Sequence, residues 1–523
     1  MRLLPSVEHL VCIANLCTKG KPLCHVGHMH THIQKYGLNM HKSLEYHFIS
    51  MLMHVGQIQI AQQAFEELEL RIPSSWDALL NKFIRYGEPQ HAFSIYQAMV
   101  KKCYDPSAFT FVALLKSCAK LRDMTKGCEI HAHISKLGWL KTNLFVWNSV
   151  VDMYAKCGSV SRARELFEKL HVRDVVSWNA LIAGYVQHEH GEEALNCFNK
   201  MKREGVAPDA ITLACSLKAC GCIKATNLGR EIHSEVARRG LLERDVVLGS
   251  TLVDMYIKCG LLENAKEVFI NLPVRDVITW TALISGYAQH ECGEEALDCF
   301  KEMQNSGFSP NAMTLASSLK ACGSVGAAEK GKELHLEILR KGLLKRDLIL
   351  GTALVDMYAK CGMLRRAQDV FNNLPYRDIV LWNSLISGYA QVGEIESVLG
   401  TFEEMRVEGR KPDQVTFVSV FNACSHAGFV DTGQAYFISM SKDYGIAPIP
   451  EHHMCMVDLF GRAGQLERAV GIVNIAPCHP NVMLWRTVLG ACRKWGDVDL
   501  GRKAFEQAVW LGEKEAATYI CAY

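Results

Sequence analysis

The sequence predicts an all-α fold, a solenoid of stacked helix-turn-helix repeats, and two observations support this. The stretch RDVVSWN at residues 173–179 has a similar counterpart 102 residues later, RDVITWT at 275–281, and another after the same interval, RDIVLWN at 377–383. Within each repeat the apolar residues recur at helical spacing. A long and regular period indicates that similar units stack on their neighbours and do not close a single core.

The 102-residue period divides into units of three lengths. The class of length 35 comprises 73–107, 175–209, 277–311 and 379–413. The class of length 36 comprises 108–143, 210–245 and 312–347, and the class of length 31 comprises 144–174, 246–276 and 348–378. Tetratricopeptide arrays keep to a period of roughly 34 residues and HEAT units are longer, so this alternation fits neither class.

Each unit is predicted to form two helices, and residues 175–209 illustrate the pattern. The apolar face of the first helix comprises Trp178, Leu181, Ile182 and Tyr185. That of the second comprises Ala194, Leu195, Phe198 and Met201. We expect Gly191 to break the pattern between the helices, and Gly205 and Pro208 to end the second. One such pair cannot bury both of its faces, so neighbouring pairs must stack.

Composition and cysteine spacing restrict the function classes. A net charge of +2 gives no strong global field, and no run of 18 apolar residues predicts a membrane span. Among the 21 cysteines, two sets follow the 102-residue period and are predicted to be reduced packing residues: Cys118, Cys220, Cys322 and Cys424 in one set, and Cys157, Cys259 and Cys361 in the other. No two cysteines have C-x-x-C spacing, so we expect no zinc site of that kind, and no cofactor.

One motif resembles half of a catalytic site. His233-Ser234-Glu235 matches the H-x-E half of a zinc deaminase, whose other half requires P-C-x-x-C. Only Pro477-Cys478 approaches that half, and position 481 is asparagine. His233 also recurs at the repeat period, which favours packing between helices over catalysis. The chain is therefore not expected to be an enzyme.

Three sequence signatures carry a family resemblance: VDMYAKCG at 151–158, WNALIAGY at 178–185 and EIHSE at 231–235. With the 35/36/31 alternation, the chain resembles the pentatricopeptide repeat family in its plant PLS subclass. The units of 35, 36 and 31 residues then correspond to that subclass's P, L and S motifs, respectively. The resemblance implies a right-handed superhelical α-solenoid.

The resemblance also implies four segments. Residues 1–72 are expected to be degenerate L and S repeats that cap the solenoid, and 73–413 the main array. Residues 414–481 resemble the closing L and S motifs. Residues 482–523 resemble a truncated E motif, and no deaminase domain of the DYW type is expected within this chain.

Single-stranded RNA is the partner that the resemblance implies. In this family the fifth and last residues of each P or S motif, here called the specifying pair, set the base preference. The pairs implied to prefer uracil are Asn148 with Asp174, Asn179 with Asp209, and Asn383 with Asp413. Those implied to prefer guanine are Ser250 with Asp276 and Thr352 with Asp378, and Thr281 with Asn311 is the adenine combination.

The second residue of each motif, here called the clamp position, is implied to pack against the base. Clamp residues are Phe145, Val176, Val247, Ile278, Ile349 and Val380. The L motifs carry Val112, Ala214 and Ala316 at the fifth position and are expected to act as spacers. Asp77 with Ser107 and Met454 with Asn481 depart from the family code. Because the family binds RNA in parallel, residues 73–481 predict the target 5′-NNUUNGANGUNN-3′.

A structural alternative exists for these polar residues. Asn and Asp are common N-caps, so helix capping by itself explains why Asp recurs at the start of helices. It does not explain why Asn179 and Asp209 change together to Thr281 and Asn311 in an otherwise similar unit. That coordinated change favours base recognition.

The PLS alternation followed by an E-like segment implies a site-recognition factor for C-to-U RNA editing in an organelle. A DYW-type deaminase protein acting in trans and small organellar editing factors are its expected partners. Two alternatives are an RNA processing, splicing or stability factor and a tetratricopeptide-like protein-binding scaffold. The mitochondrion is the favoured compartment and the chloroplast the alternative. No transit peptide is visible, and we expect the N-terminus to be incomplete.

Overall fold

The computed structural model describes Leu80 and residues 89–101, 105–344, 347–476 and 482–511. Regular structure in these ranges is helical, without a strand. The chain divides into two compact units, Met1–Leu261 and Leu262–Tyr523. The predicted cap at 1–72 lies outside the described residues, as do Asp77 and Asn481.

The described part of the first unit contains four helix pairs, and one helix each of the pairs before and after them. Its helices are α1 (Pro89–Lys101), α2 (Ala108–Leu121), α3 (Met124–Lys136), α4 (Trp139–Thr142), α5 (Leu144–Lys156), α6 (Val160–Glu168), α7 (Val175–Gln187), α8 (Gly191–Arg203), α9 (Ala210–Ile223), α10 (Thr226–Arg238) and α11 (Val246–Lys258). First helices of successive motifs pack on one another in the order α2, α5, α7, α9, α11. Second helices form an outer layer, each between the first helices of its own and the next motif.

The second unit repeats this layering. Its helices are α12 (Leu262–Asn271), α13 (Val277–Gln289), α14 (Gly293–Asn305), α15 (Ala312–Val325), α16 (Ala328–Arg340), α17 (Leu348–Lys360), α18 (Leu364–Asn373), α19 (Ile379–Val392), α20 (Ile395–Val407), α21 (Gln414–Ala427), α22 (Val430–Lys442), α23 (Pro450–Arg462), α24 (Leu466–Ile475), α25 (Val482–Trp495) and α26 (Val498–Leu511). The inner layer is α13, α15, α17, α19, α21, α23 and α25. The predicted stacking of helix pairs is therefore confirmed, while the E-like assignment of 482–523 stays a prediction.

Helix lengths explain the three unit lengths; P, L and S are used below as names for the units of 35, 36 and 31 residues, respectively. In the S motif 144–174 the second helix, α6, has 9 residues, whereas α8 in the P motif 175–209 has 13. The L motif 210–245 has a first helix of 14 residues and a further 3-10 turn, Leu241–Glu243. A shorter second helix thus makes the S motif the shortest unit, and an added turn makes the L motif the longest.

The stretch at 173–179 joins one motif to the next by aromatic packing. Trp178 in α7 is fully buried, and its ring meets Phe167 of α6 edge-on with 4.5 Å between centroids. The Arg173 guanidinium lies over the same Phe167 ring at 5.2 Å. The predicted packing role of the tryptophan is confirmed. The arginine–phenylalanine–tryptophan stack also explains why Arg and Trp recur together at this period.

The expectation for Gly191 was wrong. Gly191 does not interrupt the helices but is the first residue of α8. A Cβ atom there would lie 2.5 Å from Ile223 Cγ2 and 3.2 Å from the Ala219 carbonyl oxygen. The glycine therefore permits close approach of α8 to α9. Gly205, by contrast, has a φ of +78° and follows the end of α8, as expected.

The period-locked cysteines are packing residues, as predicted. Cys118, Cys220, Cys322 and Cys424 are fully buried. Burial raises the pKa of the Cys220 and Cys322 thiols to about 12, so both are protonated at neutral pH.

The recurring histidines join helices. His131 Nδ1 lies 2.9 Å from the hydroxyl of Tyr154, and the equivalent pairs His233–Tyr256 and His335–Tyr358 have 2.9 and 3.0 Å. His233 therefore has the packing role expected from its periodicity.

Candidate nucleic-acid interface

The specifying pairs lie at the N-terminal ends of the inner helices. The fifth residue of a motif is in the second turn of its first helix, and the last residue precedes the first helix of the next motif. In the motif 175–209, Asn179 Nδ2 donates to Asp209 Oδ1 at 3.0 Å and to Oδ2 at 3.2 Å. The two residues, 30 apart in sequence, thus form one polar unit.

Asp209 also caps α9. Its Oδ1 accepts from the backbone N–H of Thr212 at 2.8 Å. Burial by itself would raise the pKa of the Asp209 carboxyl, but hydrogen bonds from the Thr212 backbone, the Asn179 amide and the Thr212 hydroxyl hold that pKa below its usual value. The carboxylate is therefore ionised at neutral pH.

The two other pairs assigned to uracil have the same amide–carboxylate bond. Asn383 donates to Asp413 Oδ1 at 3.0 Å, and Asn148 donates to Asp174 Oδ1 at 3.0 Å. All three asparagines are buried, with 9% exposure or less. The structure therefore brings together the residues that the sequence paired.

The pair assigned to adenine is joined differently. The Thr281 hydroxyl donates to the Val277 carbonyl at 2.6 Å, and the Asn311 amide reaches Thr281 Oγ1 only at 3.5 Å. The fifth residue is Thr in place of Asn, and the last residue is Asn in place of Asp. The specifying pair therefore has different hydrogen-bond donors and acceptors. The coordinated substitution seen in the sequence corresponds to a change in local hydrogen bonding.

The fifth residues assigned to guanine donate their hydroxyls to carbonyls of their own helices. Thr352 Oγ1 donates to the Leu348 carbonyl at 3.1 Å, while Asp378 caps α19 by accepting from Leu381 N–H at 2.9 Å. Ser250, in the first unit, donates to the Val247 carbonyl at 2.9 Å. Asp276, in the second unit, caps α13.

Helix capping explains the last residue of each specifying pair but not the fifth. All six last residues cap the following helix through their side chains: Asp174, Asp209, Asp276, Asn311, Asp378 and Asp413. Capping does not account for the fifth residues, which lie inside helices. Three of those are asparagines that bind the cap residue itself. One side chain can therefore both cap a helix and form half of a specifying pair.

Clamp-position residues are apolar and exposed. Their exposed fractions range from 49% for Phe145 to 65% for Ile278, and the set also includes Val176, Val247, Ile349 and Val380. Four L-motif residues at the same position are also apolar and exposed, although clamp residues were predicted only in P and S motifs: Phe109, Ile211, Met313 and Val415. The same second-position rule, applied to the L motifs, would have found them.

One cavity shows how these elements combine. It has a volume of about 460 Å³ and is lined by the clamp-position side chains Met313, Ile349 and Val380, together with the pair Thr352 and Asp378. Apart from Asp378, which caps α19, the lining residues belong to the inner helices α13, α15, α17 and α19. Apolar walls beside a few polar groups are typical of a site for a flat, polar-edged ligand.

The fifth residues of the L motifs carry no polar group. Val112 and Ala316 are buried, and Ala214 is half-buried. Four residues further along the same helices, each of these three L motifs has an exposed lysine: Lys116, Lys218 and Lys320. Lys320 lines the cavity. These cations were missed in the sequence because a lysine on a helix is ordinarily only a solvated residue.

No cluster of three or more potential metal ligands occurs in the described ranges. Of the helices described, none has the length and apolarity needed to cross a membrane.

Repeat models match the chain at the positions of these motifs. The model described as the PPR repeat family matches residues 173–222, 275–324 and 377–426. The model described as PPR repeat matches residues 74–104, 145–175, 250–277 and 352–379.

Full-length relatives are similar over most of the chain. A mitochondrial pentatricopeptide repeat-containing protein of Arabidopsis thaliana is 32% identical over 518 residues, which is 98% of this chain and 92% of that protein. Another from Arabidopsis thaliana is 37% identical over 464 residues, but the chain spans only 55% of its length.

A solved structure has the same fold. The crystal structure of the pentatricopeptide repeat protein PPR10 from maize aligns with a TM-score of 0.58 over 99% of this chain and 76% of that one, at 18% identity. PPR10 in complex with an 18-nt psaJ RNA element aligns with a TM-score of 0.57 over 98% of this chain and 89% of that one. Because repeat models match its motifs and a relative matches nearly its whole length, the chain belongs to the pentatricopeptide repeat family.

Proposed function

We propose that the chain is a sequence-specific single-stranded RNA-binding protein of an organelle. One observation carries the proposal: the hydrogen-bonded specifying pair recurs beside exposed apolar clamp residues along the inner helices. Unstacked bases need these two elements, an apolar surface for the ring and polar groups for its Watson–Crick edge. The relative solved with bound RNA, PPR10, supports the same conclusion.

Base preference follows from the chemistry of each pair. An amide and a carboxylate, as in Asn179 and Asp209, can together address the carbonyls and ring N–H of uracil. A hydroxyl with a carboxylate, as in Thr352 and Asp378, suits guanine, whose ring N–H and amino group are donors. Thr281 with Asn311 is assigned to adenine. We therefore propose the target 5′-NNUUNGANGUNN-3′, with nucleotide 1 aligned to residues 73–107.

Filter binding tests this proposal directly. The chain is titrated against an oligonucleotide that carries the proposed target and against a scrambled one of equal composition. We expect tight, salt-sensitive binding to the target and binding at least about tenfold weaker to the scrambled RNA, a difference of roughly 1.4 kcal/mol. Equal affinity for both would refute sequence-specific recognition.

We further propose that the protein is a site-recognition factor for C-to-U RNA editing. Its PLS-like motif alternation and the E-like segment after residue 481 support this. The deaminase would be supplied in trans by a DYW-type protein, together with small organellar editing factors. One relative is named mitochondrial and another chloroplastic, which supports an organellar location, and we favour the mitochondrion.

Transcript sequencing in a knockout separates editing from other RNA functions. Loss of one C-to-U change is expected, four nucleotides 3′ of the base aligned with residues 450–481. Altered transcript ends, splicing or abundance with every edited site intact would instead identify a processing, splicing or stability factor.

A further inference from the structure

A buried hydroxyl touches both members of the pair Asn179 and Asp209. Thr212 is the third residue of the next L motif and is fully buried. Its Oγ1 lies 2.6 Å from Asn179 Oδ1 and 2.8 Å from Asp209 Oδ1, and it accepts from the Asp209 backbone N–H at 3.2 Å. The hydroxyl is a donor available to the amide oxygen, while the amide nitrogen faces the carboxylate.

The same contact recurs two repeat periods later in the chain. Thr416 Oγ1 lies 2.6 Å from Asn383 Oδ1 and 2.9 Å from Asp413 Oδ1. Both threonines are the third residue of the L motif that follows a P motif. The contact thus recurs at equivalent positions of the repeat and is not confined to one motif.

The S-motif pair Asn148 and Asp174 lacks this contact. Ser177 holds the equivalent position, but its hydroxyl donates to the Asp174 main-chain oxygen at 2.8 Å. Among the described residues, Asn148 Oδ1 has no hydrogen-bond partner, although Asn148 is only 4% exposed. Its amide is therefore tied to the carboxylate through its nitrogen alone.

Amide orientation matters because uracil and cytosine present opposite patterns. Uracil has a donor at N3 and an acceptor at C4, whereas cytosine has an acceptor at N3 and a donor at C4. An asparagine whose amide is free to flip, exchanging its oxygen and nitrogen, can match either base. One whose oxygen and nitrogen are both assigned by fixed partners can match only one.

We infer that Thr212 and Thr416 are positioning residues, which fix the amide orientation of Asn179 and Asn383 and so maintain the preference for uracil over cytosine at the aligned nucleotides. The inference rests on the proposed base recognition. It adds a third residue, contributed by the next motif, to each of these two specifying pairs.

Two variants and two nucleotides give a crossed test. Nucleotide 4 of the proposed target aligns with residues 175–209, and nucleotide 10 with 379–413. The dissociation constant of the whole chain is measured for RNAs with U or C at each position. We expect Thr212→Val to lower the preference for U at nucleotide 4 by roughly fivefold and to leave nucleotide 10 unchanged. Thr416→Val is expected to do the reverse.

Ser177→Ala is the matched control. It removes a hydroxyl from the same motif position, where that hydroxyl contacts only the Asp174 main chain and not Asn148 in the bonds described. We expect the U-to-C ratio at nucleotide 3 to stay within about twofold. An equal loss with Ser177→Ala would show that any capping hydroxyl has this effect and would overturn the inference.

The remaining outcomes separate the two proposals. If Thr212→Val weakens binding to all RNAs equally, the threonine has only a structural role and the inference fails. If both valine variants keep the wild-type ratios while the target still binds above the scrambled RNA, the inference fails and the proposed function stands. If the wild-type chain does not prefer the target, the proposed function itself fails.

Discussion

The amide of Asn179 donates to both carboxylate oxygens of Asp209, at 3.0 and 3.2 Å, across the boundary between two inner helices. This bond lies within the protein itself, so the two polar groups proposed to contact a base hold each other in place. Preorganisation of this kind lowers the conformational entropy that binding must overcome. It also makes the pair, and not either residue alone, the unit to alter in experiments.

Exchanging a whole pair is expected to change one base preference. The double variant Thr281→Asn with Asn311→Asp recreates the pair found at Asn179 and Asp209. We predict that preference at nucleotide 7 changes from A to U by roughly tenfold, since a mismatched polar edge costs about 1–3 kcal/mol. Competition binding with single-nucleotide variants of the target measures this. A change in preference at any other nucleotide would contradict the one-motif, one-base proposal.

Removing clamp side chains should weaken RNA binding without affecting folding. Ile278 is 65% exposed and Val380 is 54% exposed, so neither contributes much to the core. We predict that Ile278→Ala with Val380→Ala weakens RNA binding by roughly 1–2 kcal/mol from lost apolar contact, while the free energy of unfolding changes by less than about 0.5 kcal/mol.

Val172→Ala with Val274→Ala is the control, because these valines are 68% and 55% exposed and precede the inner helices. This variant should bind RNA normally. Equal loss of affinity in both double variants would show that exposed apolar area in general, and not the clamp position, is responsible.

Lysines of the L motifs are predicted to contact phosphates. Lys218 and Lys320 are exposed on inner helices, and Lys320 lines the cavity with the clamp residues. If each neutralises one phosphate, Lys218→Gln with Lys320→Gln should reduce the slope of log affinity against log salt by about 1.4, that is, roughly 0.7 per phosphate. Dissociation constants measured between roughly 50 and 200 mM salt give the slope.

The outer helices provide the control for charge. Lys200 and Lys301 are exposed on α8 and α14. Lys200→Gln with Lys301→Gln removes the same charge, and the slope should be unchanged. An equal decrease in both variants would indicate a general charge effect.

A glycine on an inner helix sets how closely two motifs approach. A Cβ atom on Gly388 would lie 2.5 Å from the Ala359 Cβ atom. We predict that Gly388→Ala lowers the free energy of unfolding by roughly 1–3 kcal/mol, because neither helix backbone can move without disturbing its neighbours. Chemical denaturation measures the change.

Gly400 offers the opposite case on the outer helix α20. No atom lies within 4 Å of a Cβ placed there, and the residue is exposed. Gly400→Ala should therefore leave the stability unchanged or raise it by up to about 1 kcal/mol. Destabilisation by Gly400→Ala as large as that by Gly388→Ala would contradict the packing explanation.

Two half-buried histidines predict a loss of stability on mild acidification. Burial, with nearby cationic side chains, lowers the pKa of His131 and His335 below the usual 6.5. Their contribution to the free energy of unfolding is complete above pH 6.5. It is lost as the pH falls, because the unfolded chain then binds protons that the folded chain does not. The thermal unfolding midpoint should thus decrease from pH 7 towards pH 5.5.

His131→Gln with His335→Gln should flatten that pH dependence, even if the variant is less stable at neutral pH. His171→Gln, at an exposed position, should leave the dependence intact. A double variant whose unfolding midpoint falls with pH as steeply as that of the wild type would exclude these histidines as its source.

Much of the fold could be predicted from the sequence alone, whereas the specifying pairs were predicted from the sequence together with its family resemblance. The 102-residue period, the three motif lengths and the paired substitution of Asn179 and Asp209 by Thr281 and Asn311 are properties of residue order. A repeat makes such features visible because equivalent positions can be compared within one chain. The same comparison predicted that the recurring histidines and cysteines are packing residues.

Contacts between motifs depended on the tertiary structure. The roles of Trp178 against Phe167, of Gly191 beside Ile223, and of Thr212 at the Asn179 amide each require two helices from different motifs to lie side by side. Residue order shows which residues recur, but distances and hydrogen-bond partners follow from how neighbouring helices pack. For this reason the residues of each pair could be named before the structure was known, whereas the Thr212 and Thr416 hydroxyls beside Asn179 and Asn383 were found only in the folded chain.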